Sequence, residues 1–294
     1  ANAQKTGKLV VYFDSESAID PTFLERSGCD LGRLMYVQAS SVEFVLETIE
    51  ELLGATDEQL VFIWDSLAFT PSISDVEGDF NPQSSMAVKV RILAKGMSKL
   101  TIAIADKQAT FIVLNQLKTN IPQGPTARIV AMTTPYITPG GKAMHYAYSL
   151  RVWLTGRKAK SSFIEDEKGF RIGSEVKVKL EKSRFGTQGR SCAFRILWGT
   201  DEIGIRDEES WFDAIKGSDS LTSAGAWYTL STSDGYTKKF QPSKWTELVT
   251  SDEEFRNRVI RIMDEEIVQK FDKREGDASN YYEDPDDLTV PVKE

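Results

Sequence analysis

The chain has 294 residues, 40% of them hydrophobic and 27% charged, enough for one sizeable core and a smaller second unit. Its 36 Lys and Arg stand against 44 Asp and Glu, and the net charge of −8 argues against a general nucleic-acid binder. No run is long and apolar enough to span a membrane, no signal-peptide pattern opens the chain, and two distant cysteines with one His argue against a zinc site.

Ala1 to Gly7 reads as the end of a helix cut mid-element, with Gly7 as its cap. Leu9 to Phe13 (LVVYF) reads as a buried strand closed by Asp14, Ser15 and Glu16. Pro21 to Gly28 suits a short helix and Met35 to Val37 a short strand. Ser40 with Glu43 predicts a capping box, opening an amphipathic helix whose apolar face is Val42, Val45, Leu46, Ile49, Leu52 and Leu53. Leu60 to Trp64 is an unbroken apolar run, a strand buried on both faces, and Asp65-Ser66 follows it without a break. This strand–helix–strand order predicts βαβ units and a parallel sheet.

From Ser72 to Ser85 the chain is polar and loop-like. A helix is expected over Met86 to Ala105, carrying Lys89, Arg91, Lys95 and Lys99, then a buried strand over Thr110 to Leu114 that ends in Asn115-Gln116. Leu117 to Gly141 has no periodicity. It holds four prolines, Lys118, Arg128 and a closing Gly140-Gly141, and its basic residues suit a polyanion better than a core. Lys142 to Ser149 looks helical. Leu150 to Thr155, Gly169 to Lys182 and Ala193 to Leu197 read as antiparallel strands, with Lys177 and Lys179 on one face and Lys182 on the other. The pattern then changes to short helices and a hairpin, and the last strong element is a helix over Asp252 to Phe271 capped by Ser251. The expected division is a core over residues 1–204, a small domain over 205–275 and an acidic tail over 276–294. That tail carries −5 and is poor in apolar residues. It reads as a disordered, solubilising end or as a flap that competes with a polyanion. Cys29 and Cys192 are expected as two small buried side chains.

Three strands thus end in polar groups: Asp14-Ser15-Glu16, Asp65-Ser66 and Asn115-Gln116. In a parallel sheet such ends line one crevice. A phosphate-and-magnesium site needs a carboxylate for the metal's water shell, a second to activate water, and a polar sensor, and all three types are present. Acidic strand ends also serve as plain caps or turn starters, and no GxxxxGK[ST] phosphate loop occurs in these residues.

The stretches GKLVVYFDSESAIDPTFLERSGCD, VFIWDSLAFTP with a downstream Glu-Gly, FIVLNQ, TPGGKAMHYAYSLRVWL, GSEVKVKLEKSR, AFRILWG and GAWY, in that order, resemble RecA-type homologous-recombination proteins, of the phage recombinase kind. The resemblance implies an α/β fold: a RecA-like ATPase core with a mainly parallel twisted central sheet flanked by helices, plus a small α/β C-terminal domain that gates duplex entry. It implies that Glu16 orients the attacking water, that Asp65 holds Mg2+ through water with Ser66 beside it, and that Gln116 senses the γ-phosphate of ATP. Asp20 and Phe23 match positions beside the adenine. Lys182 and Arg184 match a pair that reaches the ATP of a neighbouring subunit. Residues 72–85 and 117–139 match two DNA-binding loops, with Met86, Arg91, Lys118, Arg128, Gly140 and Gly141 as DNA-binding positions. The implied partners are single-stranded and duplex DNA and further copies of the chain in a helical filament. The implied setting is the cytoplasm, that of a host if phage-encoded, with no membrane.

The sequence departs from the family pattern in having no polymerisation segment and no phosphate loop before Leu9, and in pairing Lys182 with an Arg. A non-catalytic or incomplete RecA-like protein that needs a separate N-terminal part to bind ATP therefore stands as the alternative. A hexameric helicase of the same core fits the GAWY stretch and the acidic tail less well. Each site residue also has a bland reading: helix caps for the acids, a strand-end amide for Gln116, a charged strand edge for Lys182 and Arg184.

Overall fold

The structure is a computed structural model that describes residues 1–78, 86–121, 129, 136–156, 162–199 and 203–268. It divides into two compact units, Ala1–Ser149 and Leu150–Glu294. The acidic tail, Arg128 and parts of both expected DNA loops lie outside the described residues.

The first unit is built on a four-stranded parallel sheet in the order β2-β1-β3-β4, formed by β1 (Leu9–Asp14), β2 (Leu34–Gln38), β3 (Leu60–Asp65) and β4 (Thr110–Val113). The apolar runs of β1 and β3 place them in the middle. Val11, Phe13, Phe62 and Trp64 face one core, while Val10 and Val61 are buried on the opposite side. That core is closed by α3 (Val42–Ala55) and α5 (Met86–Asp106), and the short α1 (Asn2–Lys5) and α2 (Pro21–Arg26) complete this half. Val42, Val45, Leu46, Ile49 and Leu53 of α3 are buried at helical spacing, and Leu93, Met97 and Leu100 of α5 meet the same core. The two helices approach closely because α5 has a glycine at the contact. A Cβ on Gly96 would lie 2.5 Å from Leu46 Cδ1.

Several local expectations are corrected. The cap of α3 is Ser41, not Ser40: its Oγ accepts from the Phe44 amide at 3.1 Å. Glu43 does not reach back to the cap. Its Oε2 accepts from the Ile73 amide at 3.1 Å and so ties α3 to the segment after Pro71. That segment is not all loop, since α4 (Ile73–Glu77) forms there and Ser72 donates twice to Asp75. A five-residue helix is too short to show a 3.6-residue period. Strand β4 was expected to be buried on both faces. It has one neighbour among the described residues, so Phe111 and Val113 pack inward while Ile112 is 46% exposed. The aperiodic stretch after Gln116 closes at its base through β5 (Lys118–Thr119) paired antiparallel with β6 (Tyr136–Ile137), just before α6 (Gly141–Ala147).

The second unit opens with an antiparallel sheet in the order β11-β10-β9-β7, with β8 also paired to β9. Its strands are β7 (Leu150–Gly156), β8 (Phe163–Glu165), β9 (Arg171–Ser183), β10 (Ser191–Leu197) and β11 (Gly204–Arg206). Lys179 pairs with Trp153, but Lys182 pairs with Arg151 because the register shifts between Arg151 and Val152. One extra residue in β9 cancels one step of alternation. Lys182 therefore shares the face of Lys177 and Lys179, contrary to strict alternation. Arg151 and Lys179 both lie over the Trp153 ring, at 5.4 and 5.6 Å. Cys192, expected to be buried, is exposed on β10, in register with Val178.

A separate core follows. It is formed by α7 (Glu208–Ile215), the meander β12 (Leu221–Ala224), β13 (Trp227–Ser231) and β14 (Thr237–Phe240), then α8 (Trp245–Ser251) and α9 (Glu253–Ile262). Phe212, Leu230, Phe240, Trp245, Phe255 and Val259 fill it. The cap of α9 is Asp252 rather than Ser251, with Oδ1 accepting from the Phe255 amide at 3.0 Å, and Met263–Val268 continues as a wider π turn. Arg258 joins α9 to the β13–β14 turn: it donates to Asp234, Glu254 and Thr232 and lies 4.1 Å from the Tyr236 ring centroid.

Bonds from Arg258 and Thr232 hold the Asp234 carboxyl below the usual aspartate range, and the Phe255 amide, with help from Lys238, lowers Asp252 in the same direction. Both groups bind protons less readily folded than unfolded. Their stabilisation is therefore complete above the unfolded value of about 4 and is lost as pH falls through the folded values. Urea melts followed by circular dichroism should show stability falling below about pH 4. Asp234→Asn should flatten that fall, and an unchanged acid slope would rule out this source.

Candidate functional site

The ends of β1 and β3 lie side by side, with Asp14 in register with Asp65 and Tyr12 in register with Tyr36 of β2. Residues paired across a parallel sheet share a face, so two phenols and two carboxylates stand on one side. Each phenol reaches the carboxylate one strand over and two residues on. The Tyr36 hydroxyl donates to Asp14 Oδ2 at 2.9 Å, and the Tyr12 hydroxyl donates to Asp65 Oδ2 at 2.5 Å. Burial, then the bond to Asp65, pushes the Tyr12 phenol well above its usual range, and burial with the bond to Asp14 also raises Tyr36.

The two carboxylates then differ. Asp14 is 2% exposed, and its Oδ1 accepts from the Glu16 amide at 2.9 Å and the Ser17 amide at 2.8 Å. It is saturated and fixes the turn that presents Glu16, with Ser17 at φ 51°. Asp65 is half-buried, and among the described residues no donor meets its Oδ1.

Ser15 and Ser66 knot the two strand ends together. The Ser15 amide donates to Asp65 O at 2.7 Å, and the Ser15 hydroxyl accepts from the Ser66 amide at 2.8 Å. The Ser66 hydroxyl donates to Glu16 Oε1 at 2.7 Å. The Asp65–Ser66 peptide is cis. Behind this pair, Trp64 Nε1 donates to Thr70 Oγ1 at 2.7 Å, and Thr70 Oγ1 donates to Ser66 O at 2.9 Å. Lys89 of α5 closes the turn by donating to Leu67 O at 2.8 Å and Thr70 O at 2.5 Å. Burial lowers the Lys89 ammonium below the usual lysine range. Asp75 opposes that shift and Lys118 adds to it, so Lys89 feels charges from both expected loop regions.

At the end of β4, Asn115 Nδ2 donates to Pro139 O at 2.9 Å and its Oδ1 accepts from the Gln116 amide at 3.0 Å. The Gln116 side chain is exposed. Asn115 thus ties the strand end to the far end of the aperiodic stretch, a role the sequence reading did not assign it.

The structure therefore brings together Glu16, Asp65 and Ser66, while Gln116 lies three residues past the end of β4, the strand two places from β1 in the same sheet. Asp20 caps α2 by accepting from the Thr22 amide at 2.9 Å, and Phe23 on that helix is 41% exposed. Lys182 and Arg184 belong to the second unit, where burial and then the charge of Arg184 lower Lys182 below the usual lysine range. Met86 opens α5, with its side chain outside the described residues, Arg91 lies one turn later, and Arg128 is outside them altogether. Gly140 and Gly141 have φ of 102° and 70°. A Cβ would lie 2.7 Å from Met144 Cγ at the first and 2.8 Å from Val90 Cγ1 at the second, so backbone conformation and local packing both favour glycine here.

No group of three or more metal-ligating side chains occurs among the described residues, so a chelating cage does not fit. What fits is a hydrated cation held through few protein oxygens, because Asp65 keeps one oxygen unengaged beside an exposed Glu16.

Residues 1–203 match the RecA N-terminal domain family. Protein RecA of Fusobacterium nucleatum is 31% identical over 232 residues, 78% of this chain and 56% of that protein. Protein RecA of Leptospira biflexa is 29% identical over 229 residues, 78% of this chain and 55% of the relative. Protein RecA of Haemophilus ducreyi is 27% identical over 290 residues, 96% and 73% of the two chains. The chain spans little more than half the length of the first two.

Lys89→Met keeps the stem and removes both bonds to the turn after Ser66. The carbonyls of Leu67 and Thr70 then lose a charged donor, and a loss of about 1–3 kcal/mol in urea unfolding is expected. A variant as stable as the parent would show that water replaces the ammonium without cost.

Proposed function

The chain belongs to the RecA family, and from that premise we propose that it is a DNA recombination and repair protein. In this reading it coats single-stranded DNA as an ATP-dependent helical filament and promotes homologous pairing and strand exchange with duplex DNA. The observation that carries the reading is the 2.7 Å bond from Ser66 to Glu16, made across two adjacent strand ends beside Asp65. In-line phosphoryl transfer needs a group that fixes the attacking water and charge near the leaving oxygens. The Ser66 bond engages one oxygen of Glu16 and leaves the other to orient water. Asp65 Oδ1 would hold the water shell of Mg2+, which when bound neutralises charge developing on the phosphates.

The remaining residues take the parts implied by the resemblance. Gln116 senses the γ-phosphate, and the adjacent Asn115–Pro139 bond offers a route from that strand end to the aperiodic stretch. Asp20 and Phe23 flank the adenine. Lys182 and Arg184 reach the ATP of a neighbouring copy, a role that two cations at and just past the end of β9 suit. Met86, Arg91, Lys118, Arg128, Gly140 and Gly141 contact DNA, with affinity falling steeply as salt rises. The domains are an ATPase core over residues 1–204, a small C-terminal domain over 205–275 that gates duplex entry, and an acidic tail over 276–294. The protein works in the cytoplasm, a host's if phage-encoded, and no described helix is long and apolar enough to cross a membrane.

One observation favours a second reading, a RecA-like protein that modulates filaments or completes its ATP site with a separate N-terminal part. Strand β4, next to Asp65's strand, has one neighbour among the described residues, and Ile112 and Leu114 are 46% and 41% exposed. Such an edge can accept a further strand.

Single-strand-stimulated ATP hydrolysis, measured for the chain alone and with a supplied N-terminal segment, tests both. The expected result is turnover with the segment. Glu16→Gln should then reduce turnover by about 100-fold or more while ATP-dependent DNA binding persists. Loss of binding along with turnover would refute the role given to Glu16, and no hydrolysis in either form would leave only a non-catalytic, filament-modulating protein.

A further inference from the structure

We propose that Tyr12 is a positioning residue that leaves Asp65 one usable oxygen and thereby makes the site prefer hydrated Mg2+ over Ca2+. This rests on Asp65 as the cation holder. The case comes from two carboxylates in near-identical settings. Asp14 and Asp65 are in register on neighbouring strands, and each accepts a phenol hydroxyl on Oδ2 from a tyrosine one strand away and two residues back. The pattern diverges only at Oδ1. In Asp14 that oxygen accepts two backbone amides and the group is 2% exposed, which leaves it no capacity for a ligand. In Asp65 the same oxygen meets no donor among the described residues, and the group is half-buried.

The phenol therefore has two consequences for Asp65. It anchors the carboxylate, because a short charge-assisted bond holds one oxygen and so fixes the plane of the other. It also occupies Oδ2, so closure of both oxygens on one ion has to compete with the phenol bond. Ca2+ readily takes carboxylates in bidentate fashion within a large, flexible shell. Mg2+ keeps an octahedral shell with several waters and binds through one or two carboxylate oxygens. A carboxylate restricted to a single oriented oxygen suits the second ion. Ser66 and the exposed Glu16, on the same strand ends, offer acceptors for its waters.

The test uses the full chain and needs no nucleotide turnover. Bound and free Mn2+ are separated by electron paramagnetic resonance, and Mn2+ is displaced by Mg2+ or by Ca2+. Wild type should release Mn2+ more readily to Mg2+. Tyr12→Phe, which keeps the ring, should shift the ratio toward Ca2+ by about fivefold or more. Replacing Tyr12 by 4-aminophenylalanine, which keeps both ring and donor, should restore the wild-type ratio. Tyr36→Phe should leave it unchanged. If Asp65→Asn removes the Mn2+ signal but Tyr12→Phe leaves the ratio as in wild type, the role of Tyr12 is refuted and Asp65 stands as holder. If Asp65→Asn binds Mn2+ as wild type does, Asp65 is not the holder, and both ideas fall. A Tyr12→Phe chain that is unfolded by circular dichroism leaves the decision to the 4-aminophenylalanine protein. There a Ca2+-shifted ratio refutes the proposal and a wild-type ratio supports it.

Discussion

The knot between Ser15 and the Asp65–Ser66 backbone is what the site depends on. Two parallel strands can pair through their ladders and still splay at their ends, where no further rungs hold them. Here the Ser15 amide and hydroxyl bond the last carbonyl and amide of the neighbouring strand end. The chain then leaves both strands at fixed angles, and Ser66 comes within 2.7 Å of Glu16. Without that knot the two acids would belong to independent turns. With it they form one constellation supported from behind by Trp64, Thr70 and Lys89.

The same region separates the acids by role. A buried carboxylate is costly unless its oxygens are met by donors. Asp14 satisfies that condition with a phenol and two amides, so its burial stabilises the turn. Asp65 satisfies it by half, and Glu16 accepts one bond and lies exposed. The chemistry is therefore expected of the incompletely bonded members, while the saturated one holds them in place. Periodicity and composition could not make this distinction, because both strands end in the same residue type; only the family resemblance gave Asp65 a role and Asp14 none.

Much of the fold was legible because it follows from periodicity. The apolar runs of β1 and β3 marked central strands, and the spacing of Val42, Val45, Leu46, Ile49 and Leu53 marked a core-facing helix. Some misses are local, as with the caps of α3 and α9, each one residue off, and the larger ones turned on a long-range partner. Ser41 rather than Ser40 caps α3, and Glu43 bonds Ile73, 30 residues away. Whether β4 is central or at an edge depends on its neighbours, and its own residues are apolar either way. The face of Lys182 depends on one extra residue in β9, visible only against β7. Of the residues that cluster at the strand ends, Glu16, Asp65 and Ser66 were singled out from strand-end acids and resemblance. Ser15 and Asn115 were named only as polar strand ends, Lys89 only as a helix cation, and Tyr12 was given no part, although a tyrosine two residues before a strand-end acid is a readable signal for a phenol on the acid's own face.

The supporting residues also indicate how distant segments could bear on the acids. Lys89 lies on the helix that carries Arg91 and bonds the turn directly after Asp65-Ser66. Its ammonium responds to Asp75 in the first expected loop and to Lys118 at the base of the second. Asn115 makes the matching link on the other side, from the end of β4 to Pro139 beside the glycines that open α6. Both links are short, pass through backbone carbonyls, and end at rigid strand termini. These bonds tie the start of α5 to the turn after Asp65, and the segment before α6 to the residues that follow β4.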